Sequence, residues 1–388
     1  MMIRFKQSMT RALLAMARTF TPVLRWKNNT FVFRAEDVKE VLNRNQDFTI
    51  AEINGPNIER LIGPYILGMD DGPQYQRDIG ILRAATKRED GERISSFVRK
   101  EAVAIVDNLP KEFDLVQSFT RQLPYLLIAD YFGTPGPDRS SMLRWNRSIF
   151  WDVFLDLKDE PEVRSAALRS SSEMVPYIKE QIKENKNRVA QGLEIEDNML
   201  NRLIKMQDED VPSFSDEEMA GNFAGTLMGT LEPINKACVY ILQQFFSRKE
   251  ILKKAIQAAK SDDTQTMKEL ALEALRFQPN MPVLMRFSKE EQELGKRRIR
   301  AGQTVYAMTY SAMFDPRQVE QPKRFLPGRP VEDMMYLGFG QHRCFGNYIN
   351  LVAIPEMLNV LLKIEGLRPK GKVIKEGPFP DRWIFEKD

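Results

Sequence analysis

The chain of 388 residues contains one histidine, His342, and two cysteines, Cys238 and Cys344. A zinc or iron centre held by several His or Cys side chains cannot be assembled from so few. A disulfide framework is excluded as well, because Cys238–Cys344 is the only pairing on offer; a reducing, cytoplasmic setting is therefore expected. Any histidine-dependent catalysis must run through His342. An excess of one charge is also missing: Lys+Arg 57 against Asp+Glu 54 leaves a net +3, too even to favour nucleic acid as a partner. Long apolar runs are absent. The stretch Ala12–Met16, bracketed by Arg11 and Arg18, falls well short of the roughly 20 residues that span a bilayer. Residues 1–20 therefore read as a surface helix of a soluble protein, with a membrane-surface anchor as the alternative. There is no Pro/Gly linker, low-complexity tract or repeat to divide the chain.

What is present suits a large packed core, with 43% hydrophobic residues. The pattern predicts one mainly α-helical domain over residues 1–388 with small β-sheets, rather than βαβ alternation. Thr30–Arg34 reads as a strand followed by a helix at Ala35–Asn43. Asp114–Phe132 reads as an apolar helical stretch closed by Gly133, and Arg164–Val189 as a polar helix. Arg298–Met308 reads as strands around a turn at Ala301–Gly302.

Ser215-Asp-Glu-Glu218 has the form of a capping box, and the apolar pattern behind it predicts one long helix running to about Phe246. Gly221, Gly225 and Gly229 recur every four residues on one face, and Pro233 continues the series. Two readings fit this face: a trough where something flat lies close to the backbone, or a helix crossing with small residues at the contact. Pro233 inside a continuous helix would cost roughly 3 kcal/mol. Glu232 stands beside it.

Near the C-terminus the sequence runs Leu337-Gly338-Phe339-Gly340-Gln341-His342-Arg343-Cys344-Phe345-Gly346, with an apolar helical pattern behind it. A lone cysteine between a glycine-rich loop and a helix N-terminus is set up as a thiolate. Such a thiolate can ligate haem iron. A buried cysteine in a tight turn and a nucleophile paired with His342 are the alternatives.

This loop resembles the haem-binding signature F-G-x-G-x-H-x-C-x-G of the cytochrome P-450 superfamily at Gly338, Gly340, His342, Cys344 and Gly346, and departs from it at Leu337. Other segments follow in the family's order: Glu273-Ala-Leu-Arg276, Pro322-Lys-Arg-Phe325, Phe325-Leu-Pro-Gly-Arg329 and Pro282-Val-Leu-Met-Arg286. The resemblance implies a P-450-type fold with haem b between a long distal helix and the proximal cysteine loop. It implies Cys344 as axial ligand, a Glu273–Arg276–Arg324 structural triad, and Arg286 and His342 at the propionates. Phe339, Gly340, Gly346 and Gly225 would also line the cofactor.

The family's oxygen-activating pattern A-G-x-[DE]-T falls best on Gly229-Thr-Leu-Glu232-Pro233, which keeps the acid and loses the alcohol. Dioxygen cleavage needs protons, so Gly229, Glu232 and Pro233 become the catalytic candidates. Where the family carries a propionate-binding His and Arg, this chain has Tyr75 and Ile79, with Tyr75 or Arg77 as substitutes. Pro355 is expected to kink the helix after Cys344.

The activity implied is monooxygenation of a hydrophobic small molecule. Electrons would come from a ferredoxin- or flavodoxin-type donor on the Cys344 face. The alternatives are a peroxide-dependent peroxygenase or hydroperoxide isomerase or dehydratase, and a non-catalytic haem or ligand binder.

Overall fold

The computed structural model describes residues 2–209, 211–295 and 297–388. The chain forms two compact units, one of residues 1–53 and 237–363, the other of 54–236 and 364–388. Both are mainly helical with small sheets, as the apolar periodicity predicts.

The first unit is built on a five-stranded sheet in the order Val23–Trp26, Asn29–Val32, Gln303–Ala307, Leu284–Ser288, Phe48–Thr49. Asn29–Val32 runs parallel to Gln303–Ala307, and the remaining neighbours are antiparallel. Arg286 lies on the Leu284–Ser288 strand opposite Val305. The helix Ala35–Asn43 forms as expected. The strands around Gly302 do form, but they do not pair with one another. Arg297–Ile299 pairs instead with Gln292–Leu294, and Gln303–Ala307 turns into the large sheet. Period-2 patterning places strands but carries no record of their partners. The helices Thr264–Phe277 and Asn347–Leu361 also belong to this unit. Pro355 lies within the second of them and does not end it.

The second unit packs the helices Arg139–Phe154 and Pro161–Ala190 beside the helix Asp216–Met228. The segment expected as one apolar helix from Asp114 begins with the end of a strand, Glu112–Asp114. It continues through π turns at Val116–Thr120 and Ile128–Phe132 on either side of Gln122–Leu127. Gly133 then closes it in the left-handed region at φ 87°.

The long helix predicted from Ser215 to Phe246 is two helices, Asp216–Met228 and Leu231–Phe246. The break is short, with the Thr230 N–H donating to the Leu227 carbonyl at 3.0 Å. It sits where Pro233 requires it. A continuous helix would make Pro233 an interior residue, whereas a start at Leu231 places it in the first turn. There its missing N–H costs no helical bond. The capping box is formed, with Ser215 and Glu218 bonding each other's backbone. All three first-turn acids of this helix find cations: Asp216 with Lys186, Glu217 with Lys179, and Glu218 with Arg77, each at 2.6 Å.

Candidate active site

In the first unit, the cysteine loop takes its shape from glycine. Gly338 and Gly340 lie at φ 79° and 71°, where a side chain is disfavoured. A Cβ on Gly340 would also stand 2.5 Å from the Leu42 carbonyl. The Cys344 N–H donates to the Leu337 carbonyl at 2.8 Å. Leu337, the departure from the expected aromatic, thus serves the loop through its backbone. The Cys344 sulfur accepts from the Gly346 N–H, and the Asn350 amide approaches it at 3.9 Å. Burial pushes the thiol up, while the Gly346 N–H and the Arg343 charge pull it back. Arg343 is anchored by donating to the Val331 carbonyl at 3.0 Å. His342 is part-buried two residues ahead of the sulfur. Phe339 is also part-buried, and its ring carries the Lys39 ammonium at 5.5 Å.

Behind this loop lies a buried ion pair. Arg276 donates from Nε and Nη2 to the two Glu273 carboxylate oxygens at 2.8 and 2.7 Å, and both side chains are out of solvent. Its remaining donors go to the carbonyls of Met313, Pro322 and Arg324. The expected triad is therefore corrected at its third member. The Arg324 side chain points away to Gln321 in an exposed position, and Arg324 contributes its carbonyl alone. The side chain that reaches Glu273 is Arg329, at 3.3 Å, with the Leu326 N–H also donating at 2.8 Å. The physical reason is register: the chain bends at Pro327 and Gly328 takes φ 84°, so the later arginine is the one that reaches Glu273. Arg286 is buried on its strand, where Nη1 donates to the Met285 carbonyl.

In the second unit, the glycine face is filled by the chain itself. A Cβ on Gly221 would meet the Ile62 carbonyl at 2.4 Å, and one on Gly225 would meet the Tyr65 ring at 2.5 Å. The approach is close at both positions, but it comes from the end of the helix Ala51–Ile62 and from the extended residue Tyr65, not from a crossing helix. Gly225 is covered by Tyr65 and is not an open floor for a cofactor. Gly229 alone has no neighbour nearer than 3.6 Å. Arg77 is also corrected as a propionate substitute. It is held by Asp78 at 2.8 Å and Glu218 at 2.6 Å. Tyr75 is buried on the helix Pro73–Ala85.

Glu232 is fully buried and centres a network that sequence reasoning missed. Arg121 pairs with its Oε1 at 3.0 Å, and Asn235 donates to its Oε2 at 2.8 Å. Thr120 donates to Asn235 at 2.7 Å, and Arg121 also pairs with Asp381 at 3.0 Å, which Arg147 reaches at 3.2 Å. Burial raises the Glu232 carboxyl above its ordinary value, with Arg121, Arg147 and Asn235 opposing. Only Asn235, three residues on along the helix, carried a sequence signal. Arg121, Arg147 and Asp381 are distant in sequence and carried none.

A scan against family models matches cytochrome P450 over residues 3–364. The chain belongs to the cytochrome P450 family. It is similar to a mycinamicin IV hydroxylase/epoxidase of Micromonospora griseorubida, at 24% identity over 87% of this chain and 82% of that one. It is similar too to a steroid C26-monooxygenase of Rhodococcus jostii, at 26% identity over 85% and 68%. Among solved structures it matches ligand-free cytochrome P450 TbtJ1 with a TM-score of 0.83 and 21% identity, covering 98% of each chain. The protein is a haem-thiolate monooxygenase, and its cofactor is iron protoporphyrin IX with a cysteine thiolate as axial ligand. Among the described residues no helix is long and apolar enough to cross a membrane.

Proposed function

We propose that Cys344 is the axial ligand, that Arg286 and His342 hold the haem propionates, and that residues 1–388 work as one haem-binding domain. The observation that carries this reading is the sulfur itself. It lies in a glycine-shaped loop with a backbone N–H and a side-chain amide turned toward it, donors that offset part of the cost burial puts on a thiolate. When bound, the haem supplies oxygen activation, assisted by electron donation from the thiolate. Gly338 and Gly340 set the loop's path, Arg343 ties it to Val331, and the Gly346 N–H and Asn350 steady the charge on sulfur.

The substrate we propose is a hydrophobic small molecule, in keeping with the mycinamicin IV and the steroid that the relatives' names give. Electrons would come from a ferredoxin- or flavodoxin-type protein in a reducing cytoplasm, where both cysteines stay free. With dioxygen, a reductase and such a donor, the enzyme should oxidise an apolar substrate that gives a ligand-induced spectral shift. Turnover with hydrogen peroxide alone, and none with the electron-transfer chain, would overturn this reading.

Glu232 is proposed as the proton carrier in place of the missing alcohol. Burial and Arg121 pull its proton equilibrium in opposite directions, and Pro233 offers no donor. Glu232→Gln is expected to lower kcat on the order of 10²-fold and to flatten the pH profile of kcat, with haem content unchanged. A merely structural Glu232 would leave that pH profile intact.

A further inference from the structure

The helix Met2–Phe20 presents two opposite faces. On the inner face Arg18 is buried and donates to the Ser311 carbonyl and hydroxyl at 2.8 and 2.9 Å. Arg11 lies over the rings of Phe277 and Phe314 at 5.2 and 5.1 Å. On the outer face Met9, Leu13, Met16 and Phe20 follow one another at steps of four, three and four residues, one row along the helix. They stand 55, 58, 52 and 76% exposed. The strand that follows adds Leu24 and Trp26, two residues apart and also exposed. These six account for half of the twelve exposed large apolar side chains among the described residues.

Charge over the same stretch is one-sided. Residues 1–35 contain seven Lys and Arg and no Asp or Glu, the first carboxylate being Glu36; of these cations Arg11, Arg18 and Arg34 are engaged within the unit. Arg25 and Lys27 are exposed beside Leu24 and Trp26.

We propose that this row is an interfacial anchor that seats the enzyme on the surface of an anionic lipid bilayer. The row carries no side-chain hydrogen-bonding group apart from the Trp26 indole, whereas protein interfaces carry about one hydrogen bond per 100–200 Å². Its helical part, Met9 to Phe20, is a single file of side chains about 16 Å long, narrow beside the roughly 800 Å² per partner of a stable protein complex. Lipid acyl chains mould to such a row. An apolar face with Lys and Arg alongside and an aromatic at the headgroup level is the arrangement that lies in a membrane interface.

The test uses the full-length haem-loaded enzyme in flotation with vesicles of phosphatidylcholine, with and without phosphatidylglycerol. The enzyme should float with the anionic vesicles, and salt should weaken its binding. The double variant Leu13→Glu/Phe20→Glu should lose at least about tenfold in partitioning with its unfolding midpoint retained. Leu157→Glu, at a side chain 67% exposed elsewhere, should float as the parent does. Failure of the parent to float with anionic vesicles would overturn the proposal, as would a double variant that floats equally well. The proposal also fails if the parent is dimeric without lipid and the double variant monomeric, because the row is then a self-association surface.

Discussion

Replacing Cys344 by alanine is expected to abolish the thiolate-type absorption of the reduced, CO-bound protein and to bring monooxygenation to background. Cys238→Ala should leave both intact. Burial raises both thiols, but the two cysteines differ in what surrounds the sulfur. Cys238 is enclosed in the helix Leu231–Phe246, 4.0 Å from the Met357 sulfur, and burial pushes its thiol up to about 12. It behaves as a small core side chain, and its truncation should cost only about 1 kcal/mol through the small cavity left behind. Cys344 has its N–H fixed to Leu337 and its sulfur turned toward the Gly346 N–H and Asn350. Burial alone would keep that thiol protonated; the positive charge of iron, when bound there, would make the anion the stable form. The absorption spectrum reads the ligand directly, and urea unfolding reads the cost at Cys238. A thiolate-type spectrum in Cys344→Ala would move the ligand elsewhere, and Cys238 is the one other cysteine in the chain.

The cysteine loop was legible because its chemistry is local. Two glycines at positive φ, one thiol and a following helix lie within ten consecutive residues, so spacing alone reports their geometry. The capping box at Ser215 was legible for the same reason. The glycine face of Asp216–Met228 was legible as a close approach, but not for what approaches: Tyr65 reaches Gly225 from a segment far away in sequence. The helix break at Gly229–Thr230 could have been read from Pro233, since a helix that starts two residues earlier avoids the interior cost that a continuous one incurs. The Glu232 network could not. Its partners lie on the π turn at Val116–Thr120 and just after it, on the helix Arg139–Phe154 and on the strand Phe379–Arg382 near the C-terminus. No periodicity couples them.

Removing one partner of the ion pair behind the cysteine loop should be strongly destabilising. Glu273→Ala leaves the Arg276 guanidinium buried with carbonyls but no counter-charge. Breaking such a pair costs about 3–5 kcal/mol, because the remaining charge cannot reach water. Arg329→Ala should cost less, since Arg276 still holds the carboxylate at two points. Arg324→Ala should cost within about 0.5 kcal/mol, because Arg276 uses only the residue's carbonyl, which alanine supplies equally. Urea unfolding of the three variants tests that order, and a loss at Arg324 as large as at Glu273 would restore the triad in its expected form. The consequence extends to the cofactor. Arg276 and Glu273 fix Met313, Pro322, Arg324 and Leu326, and the chain then runs to Val331, whose carbonyl holds Arg343 beside Cys344. Releasing the first of these ties loosens the last, so Glu273→Ala should also lower the haem retained on purification, while Arg324→Ala should retain it in full.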